Sequence, residues 1–274
     1  MKSFISEDDI EQAICNRLSL PEYGWKRIEC DARVEAQDDV STTGRANPSE
    51  CILPDVFLAA LKRLNPQVEE GVLQGILRNF RKDYTATDMV ETNYKLYNQL
   101  RNGIKKPVRK NGKEDFDIVR LIDFDHPERN DFHCVNQMWI KGHYRYRRPD
   151  VLLFVNGLPV VFIELKNSTV KVEESYNKNL TSYRKDIPNI FSFNQICVLS
   201  NGLQTKIGAW NSRYEFFFEW LRVDNEKEKL DREQIAEHGL SIQNLIDGLF
   251  RKDRLLDYIE NFIFFDNKRI KIIA

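Results

Sequence analysis

The chain has 274 residues, 42% hydrophobic and 11% aromatic, enough for one large domain or two small ones, and its net charge of −1 sets up no global field for a polyanion while leaving room for a local basic patch. Cys15, Cys30, Cys51, Cys134 and Cys197 are odd in number and scattered without C-x-x-C, and His126, His133, His143 and His238 make no H-x-x-x-H, so neither a zinc site nor a disulfide framework is indicated and reduced cytoplasmic thiols are expected. The opening MKSFISEDDIEQ has no apolar signal core and no apolar run approaches the ~18 residues of a membrane span, so a soluble protein with no membrane partner is expected.

In chain order, SEDDIEQAICNRL predicts a helix with Ser6 as N-cap, acids in the first turn and a stripe of Ile10, Ala13, Ile14 and Leu18. Residues 30–50 are polar, with Gly44 and Pro48, and read as a loop. LPDVFLAALKRLNP, EEGVLQGILRNFRKDY and ATDMVETNYKLYNQLRNG continue as helices, stopped at Pro66 and Gly103, so the first hundred residues read as mostly helical. KKPVRKNGKED reads as a turn, with Asn111-Gly112 a hairpin signal. FDIVRLIDF, DFHCVNQMWIKG, both halves of RRPDVLLFVNGLPVVFIELKN, NQICVLSNG and YEFFFEWLR read as strands. EESYNKNLTSYRKDIP reads as a helix ended before Pro188. DNEKEKLDREQ reads as a charged linker or solvated helix, and IQNLIDGLFRKDRLLDYIENFIFF as helix. The order predicts an α/β fold, a central mixed sheet flanked by helices.

Within residues 147–167 two apolar runs flank Asn156-Gly157, with charge only near the outer ends. Runs apolar on both faces belong inside a covered sheet. With a turn centred on Gly157, Asp150 and Glu164 are equidistant from it and lie opposite each other, Cβ atoms about 5 Å apart. Lys166, two residues on, shares their face. A one-residue change in the turn breaks the pairing. Two carboxylates at one end of buried strands repel, Lys166 supplies a single positive charge, and a divalent cation such as Mg2+ is the natural complement. The ordinary reading of D…E-x-K is strand-end charge and a simple Asp150–Lys166 ion pair. Against it, Glu164-x-Lys166 is the only E-x-K in the chain, Asp266-x-Lys268 has no preceding hairpin partner, and Pro54-Asp55 opens a helix.

Pro149-Asp150 followed by Glu164-x-Lys166 on a buried hairpin is the PD-(D/E)xK nuclease pattern. The hairpin as a whole resembles the N-terminal nuclease domain of type I restriction endonuclease R (restriction) subunits, as do NDFHCVNQMWIKG before it and DIPNIFSFNQICVLSNGLQTKIG after it, the likeness being loosest at 30–55. The resemblance implies a PD-(D/E)xK nuclease-like sheet and Mg2+-dependent phosphodiester hydrolysis in DNA, with Mn2+ able to substitute. It makes Asp150, Glu164 and the Leu165 carbonyl metal ligands and Lys166 the group that orients or helps deprotonate the attacking water. It also implies an acid on the first helix, matched by position at Glu11. A first-turn acid favoured by the helix dipole is an equal reading of that residue. The branch carries Q-x-x-x-Y after the catalytic strand; here the match is Asn179 to Tyr183, with the shorter Asn in place of Gln, which leaves its reach open. Packing against the sheet is the competing reading of Tyr183.

KGHYRYRRPD brings Lys141, Arg145, Arg147 and Arg148 close to the site as candidate phosphate contacts, alternation placing Arg145 and Arg147 on one face and Tyr144 and Tyr146 on the other. A solvated face is the ordinary reading of such a run, and Arg148 could pair with a nearby acid. No G-x-x-x-x-G-K-[ST] is present, so ATP belongs only to a motor this chain lacks. Residues 1–223 are expected to form the nuclease domain with its helical N-terminal portion, and 224–274 a charged linker and helical segment leading toward the missing helicase motor, in a fragment or truncated product. The implied partners are DNA and the methylation and specificity subunits of a type I complex. Two alternatives remain at this stage: a stand-alone repair or recombination nuclease of the same fold, and a catalytically silent DNA-binding or docking module.

Overall fold

The most apolar strands of the sequence lie side by side in the middle of one sheet, and the helices cover its two faces. The computed structural model describes residues 4–85, 87–110, 113–223, 241–266 and 269–273.

Helices come first: α1 (Glu7–Leu18), α2 (Pro54–Leu64), α3 (Glu70–Phe80) and α4 (Met89–Asn102). Ser6 caps α1 in a capping box, its hydroxyl accepting from the Asp9 N–H while the Asp9 carboxylate accepts from the Ser6 N–H. α1 buries Ile10, Ile14 and Leu18 as the periodicity predicts, while Ala13 is only half-buried. Its buried side also carries Glu11.

The strands are β1 (Lys26–Glu29), β2 (Ile104–Lys110), β3 (Lys113–Val119), β4 (Phe132–Asn136), β5 (Ile140–Lys141), β6 (Tyr146–Arg147), β7 (Val151–Val155), β8 (Leu158–Leu165), β9 (Ile196–Ser200), β10 (Thr205–Gly208), β11 (Phe218–Glu219), β12 (Ile263–Asp266) and β13 (Arg269–Ile272). The central sheet has seven of them among the described residues, in the order β1-β4-β7-β8-β9-β10-β11. β1 runs parallel to β4 and β8 parallel to β9; the other neighbours are antiparallel. This is the α/β architecture with a mixed central sheet that the order of elements predicts. One helix, α5, joins β8 to β9: Val172–Glu174, a π-helical turn over Ser175–Leu180, then Thr181–Asp186. α6 (Ser241–Leu249) and α7 (Lys252–Asn261) return to α1, where Arg17 makes two 2.6 Å hydrogen bonds to Asp247 and Trp25 Nε1 donates to the Phe250 carbonyl. No helix among the described residues is long and apolar enough to cross a membrane.

Several local expectations change. The helical first hundred residues include β1, a short edge strand whose residues Lys26–Glu29 alternate too little to announce it. KKPVRKNGKED is mostly strand, because β2 and β3 run into it; their pair is a ribbon outside the central sheet. Asn111-Gly112 lies outside the described residues, as does DNEKEKLDREQ. DFHCVNQMWIKG is two strands, since Gln137 takes a φ of 60° and breaks the extended chain after Asn136. Only Phe218–Glu219 of YEFFFEWLR is extended, Tyr214–Phe216 being a 3-10 turn. The final helix stops at Asn261, and the β-branched and aromatic run after it pairs with Arg269–Ile272 as a hairpin.

Candidate active site

The hairpin β7–β8 sets the site. Asn156 and Gly157 have φ of 49° and 80°, left-handed at both central positions as a type I′ turn requires. Beside the turn Val155 pairs with Leu158 and Phe154 with Pro159; farther out Leu153 pairs with Val161, Leu152 with Phe162 and Val151 with Ile163. Val160 is the extra residue of a β-bulge, and Pro159, lacking an N–H, suits that interruption of the ladder. The turn therefore centres between Asn156 and Gly157 rather than on Gly157. The bulge then shifts the register by one, and its next step sets Asp150 against Glu164. Without the bulge Asp150 would face Ile163, and the carboxylates would fall on opposite faces.

The side chains around this pair interlock. Asp150 Oδ2 accepts from the Leu165 N–H at 2.7 Å. Lys166 Nζ donates to the Leu165 carbonyl at 2.6 Å and to Glu164 Oε1 at 3.3 Å, with Glu7 Oε1 3.6 Å away. Asn179 Nδ2 also donates to Glu164 Oε1, so the shorter amide does reach; it does so from the π-helical turn. Tyr183 sets its ring edge-on to Phe162, centroids 5.2 Å apart, and donates to the Arg148 carbonyl at 3.1 Å. Glu164 Oε2 is buried and has no hydrogen-bond partner.

Burial dominates the electrostatics. It raises Asp150 to about 7, only partly offset by the Leu165 N–H and by Lys166. Burial, followed by repulsion from Asp150, pushes Glu164 well above the usual carboxylate range. Burial opposes the charge on Lys166, but Glu164, Glu7 and Asp150 outweigh it and raise its pKa. Burial and the two nearby carboxylates raise the Tyr183 phenol, which stays a donor.

Asp150, Glu164, Leu165, Lys166, Asn179 and Tyr183 thus come together from segments up to 33 positions apart in sequence. Glu11 stands next to them, but differently. It is buried against the end of β4, accepting from Asn136 Nδ2 at 2.8 Å and from Gln137 Nε2, and burial raises its pKa. Among the described residues no three His, Cys, Asp or Glu side chains are grouped closely enough to hold one ion. The basic residues divide. Lys141 and Arg145 are exposed. Arg147 is ion-paired with Asp186 at 2.5 Å. Arg148 lies over the Trp139 ring at 5.1 Å and donates to the Ala32 carbonyl, so its partner is a carbonyl rather than an acid.

Glu7, Asn136 and Gln137 are site residues that motif reading missed. The signal was available for the amides: Asn136-Gln137 ends the apolar run of β4 with polar groups, the same anomaly that marks Asp150 and Glu164 on the neighbouring strands.

A family profile described as "Type I restriction enzyme R protein N terminus" matches residues 4–216. The type I restriction enzyme HindI endonuclease subunit of Haemophilus influenzae is 32% identical over 279 residues, covering 98% of this chain and 25% of that protein. A Methanocaldococcus jannaschii protein, provisionally named the type I restriction enzyme MjaIXP endonuclease subunit, is 31% identical over 245 residues, covering 82% of this chain and 23% of its own length. The type I restriction enzyme EcoprrI endonuclease subunit of Escherichia coli is 27% identical over 164 residues. This chain spans about a quarter of the length of the first two relatives. With the match running from before α1 to the 3-10 turn at Tyr214–Phe216, the chain belongs to the family of type I restriction enzyme R protein N-termini.

Proposed function

We propose that this chain is the metal-dependent DNA endonuclease domain of a type I restriction R protein. The observation that carries the reading is the pairing of half-buried Asp150 with buried Glu164, aligned by the Val160 bulge beside Lys166. Three features suit Mg2+, or Mn2+ in its place. Two carboxylates completed by waters match what Mg2+ prefers. Glu164 Oε2 is a buried oxygen that no protein donor satisfies. The Lys166 ammonium already bridges Glu164 Oε1 and the Leu165 carbonyl, so a positive charge is favoured between those oxygens. Asp150, Glu164 and the Leu165 carbonyl would hold the ion. When bound, it supplies Lewis acidity toward the scissile phosphate and a lowered pKa for a water.

The protein's own groups do the rest. Lys166, kept charged by three carboxylates, orients the attacking water and steadies charge developing on the phosphate. Asn179 fixes the Glu164 carboxylate through Oε1. Tyr183 holds the main chain at Arg148, just ahead of Asp150. Glu11 shapes the surroundings of the pair rather than joining it. Exposed Lys141 and Arg145 take the DNA backbone, while Arg147 and Arg148 shape the approach through Asp186 and Trp139. In the intact protein residues 1–223 serve as the nuclease domain, 224–274 lead toward an ATP-driven translocase, and the assembly works on DNA in the cytoplasm with methylation and specificity subunits.

Calorimetric titration of the wild type and Asp150→Ala with Mn2+ tests the metal site: binding to the first and not to the second is expected, and equal affinity rejects it. Plasmid nicking by the intact R protein in its complex tests the chemistry: Lys166→Ala should abolish cleavage while leaving ATP hydrolysis unchanged, and an unimpaired variant removes Lys166 from the reaction.

A further inference from the structure

Among the described residues, only Gln137 and Asn156 have positive φ without being glycine. Asn156 sits in a hairpin turn, where that conformation is required and Asn tolerates it. Gln137, at φ 60°, is at the end of a strand, and Gln is not a residue suited to the left-handed region. A residue needed only for its backbone there would be Gly or Asn.

What Gln137 does with this conformation is specific. Its N–H donates to the Asp150 carbonyl at 3.0 Å, continuing the β4–β7 register one step past Asn136 and Val151. Its side chain turns instead to Glu11, donating from Nε2. The adjacent Asn136 donates to the other Glu11 oxygen at 2.8 Å, so the carboxylate is held at both ends by two consecutive amides. The charge of Glu11 fixes the orientation of each amide, since a flip would set a carbonyl oxygen against a carboxylate. Asn136 Oδ1 and Gln137 Oε1 are then left buried without partners, as is Glu164 Oε2 in the same region. Buried acceptors without donors are costly, and three in one neighbourhood call for a shared source of donors.

We infer that Gln137 is a positioning residue of the cation site: its main chain holds Asp150, its side chain holds Glu11, and its unpartnered Oε1 accepts from a water of the bound cation. This rests on the metal-site reading above and extends it to a residue outside the D…E-x-K pattern. One residue thereby spaces the carboxylate on α1 from the one that opens β7. The strained backbone is what lets its two ends face different elements.

The discriminating variant is Gln137→Gly, which relieves the backbone and removes only the side chain. In the 274-residue chain, with EDTA present, it should still fold cooperatively, the relief of the left-handed backbone being set against the lost hydrogen bond to Glu11. Calorimetry with Mn2+ should show affinity about 10- to 100-fold weaker, the usual cost of losing an outer partner of a metal site. Gln137→Asn, which keeps an amide and tolerates the same φ, should lose less than Gln137→Gly. Wild-type Mn2+ affinity in a folded Gln137→Gly chain overturns the inference, and so does a loss of affinity in Gln137→Asn as large as that in Gln137→Gly. Asp150→Ala separates the two layers: if it abolishes Mn2+ binding while Gln137→Gly does not, the positioning role alone fails; if the wild type binds no Mn2+, both fail.

Discussion

The hairpins β2–β3 and β7–β8 both place Asn-Gly between two strands, yet they have little else in common. β2–β3 pairs Ile104 with Val119 through to Lys110 with Lys113 in one unbroken register, outside the central sheet, with Phe116 and Ile118 exposed. In β7–β8 every strand residue is buried, and the register shifts by one at Val160. The local turn signal says that a hairpin forms. The surroundings decide how far its register holds, and in the buried hairpin the shift is what sets two carboxylates face to face.

The sharpest way to break the comparison is to insert one alanine between Val161 and Phe162. The alanine then takes the place opposite Leu152, Asp150 comes to face Ile163, and Asp150 and Glu164 part to opposite faces. Loss of Mn2+ binding is expected; a folded chain with wild-type Mn2+ affinity, measured by calorimetry, would show that the register beyond the bulge does not align the site.

Next in size is Gly157→Ala. A Cβ there would meet the Leu53 carbonyl oxygen at 2.6 Å and the Phe57 nitrogen at 2.8 Å, on a backbone with φ 80°. The left-handed penalty and overpacking together predict a loss of about 2–5 kcal/mol in urea unfolding. A cost below ~1 kcal/mol would mean that α2 does not clamp this turn.

A smaller, pH-dependent effect follows from Asp150. Its folded pKa, about 7, lies above its unfolded value, so the folded state holds the proton more tightly. Stability of the metal-free chain is therefore lost as pH rises from about 4 to about 7. Asp150→Asn should gain up to about 4 kcal/mol above pH 7 and nothing below pH ~4. Denaturation at both pH values checks it, and a gain independent of pH would assign the effect to packing instead. The smallest change is expected in the other hairpin, where Phe116→Ser should shift stability by no more than about 0.5 kcal/mol, because the ring is already in water. A large loss would mean that β2–β3 is held by more than its own ladder.

Much of the site was legible because its signals are local. Apolar runs on both sides of Asn156-Gly157 required a covered sheet, and charge at their ends was conspicuous against it. Asp150 and Glu164 were expected face to face from a turn centred on Gly157. They come face to face through a different route, a turn one half-step earlier corrected by a bulge. Asn179 shows the opposite limit. Its side chain is shorter than the Gln it replaces, and sequence spacing left its reach open; a π-helical turn, which periodicity does not announce, carries it to Glu164. The four basic residues before Pro149 looked alike in a string, but Arg147 and Arg148 are engaged with Asp186 and with Trp139 and Ala32, leaving Lys141 and Arg145 at the surface.

By itself the sequence determined the class of fold, the buried hairpin and the identity of the Asp, Glu and Lys at its ends, because period and turn chemistry are properties of neighbouring residues. The tertiary structure decided the rest: which carboxylate oxygen is left unpartnered, that Lys166 lies on the Leu165 carbonyl, and that Glu11 is held by Asn136 and Gln137. The Glu11 contacts join segments more than a hundred residues apart, and no periodicity within either segment encodes the distance between them; even the contact of neighbouring Lys166 and Leu165 depends on the direction the lysine takes in the packed site.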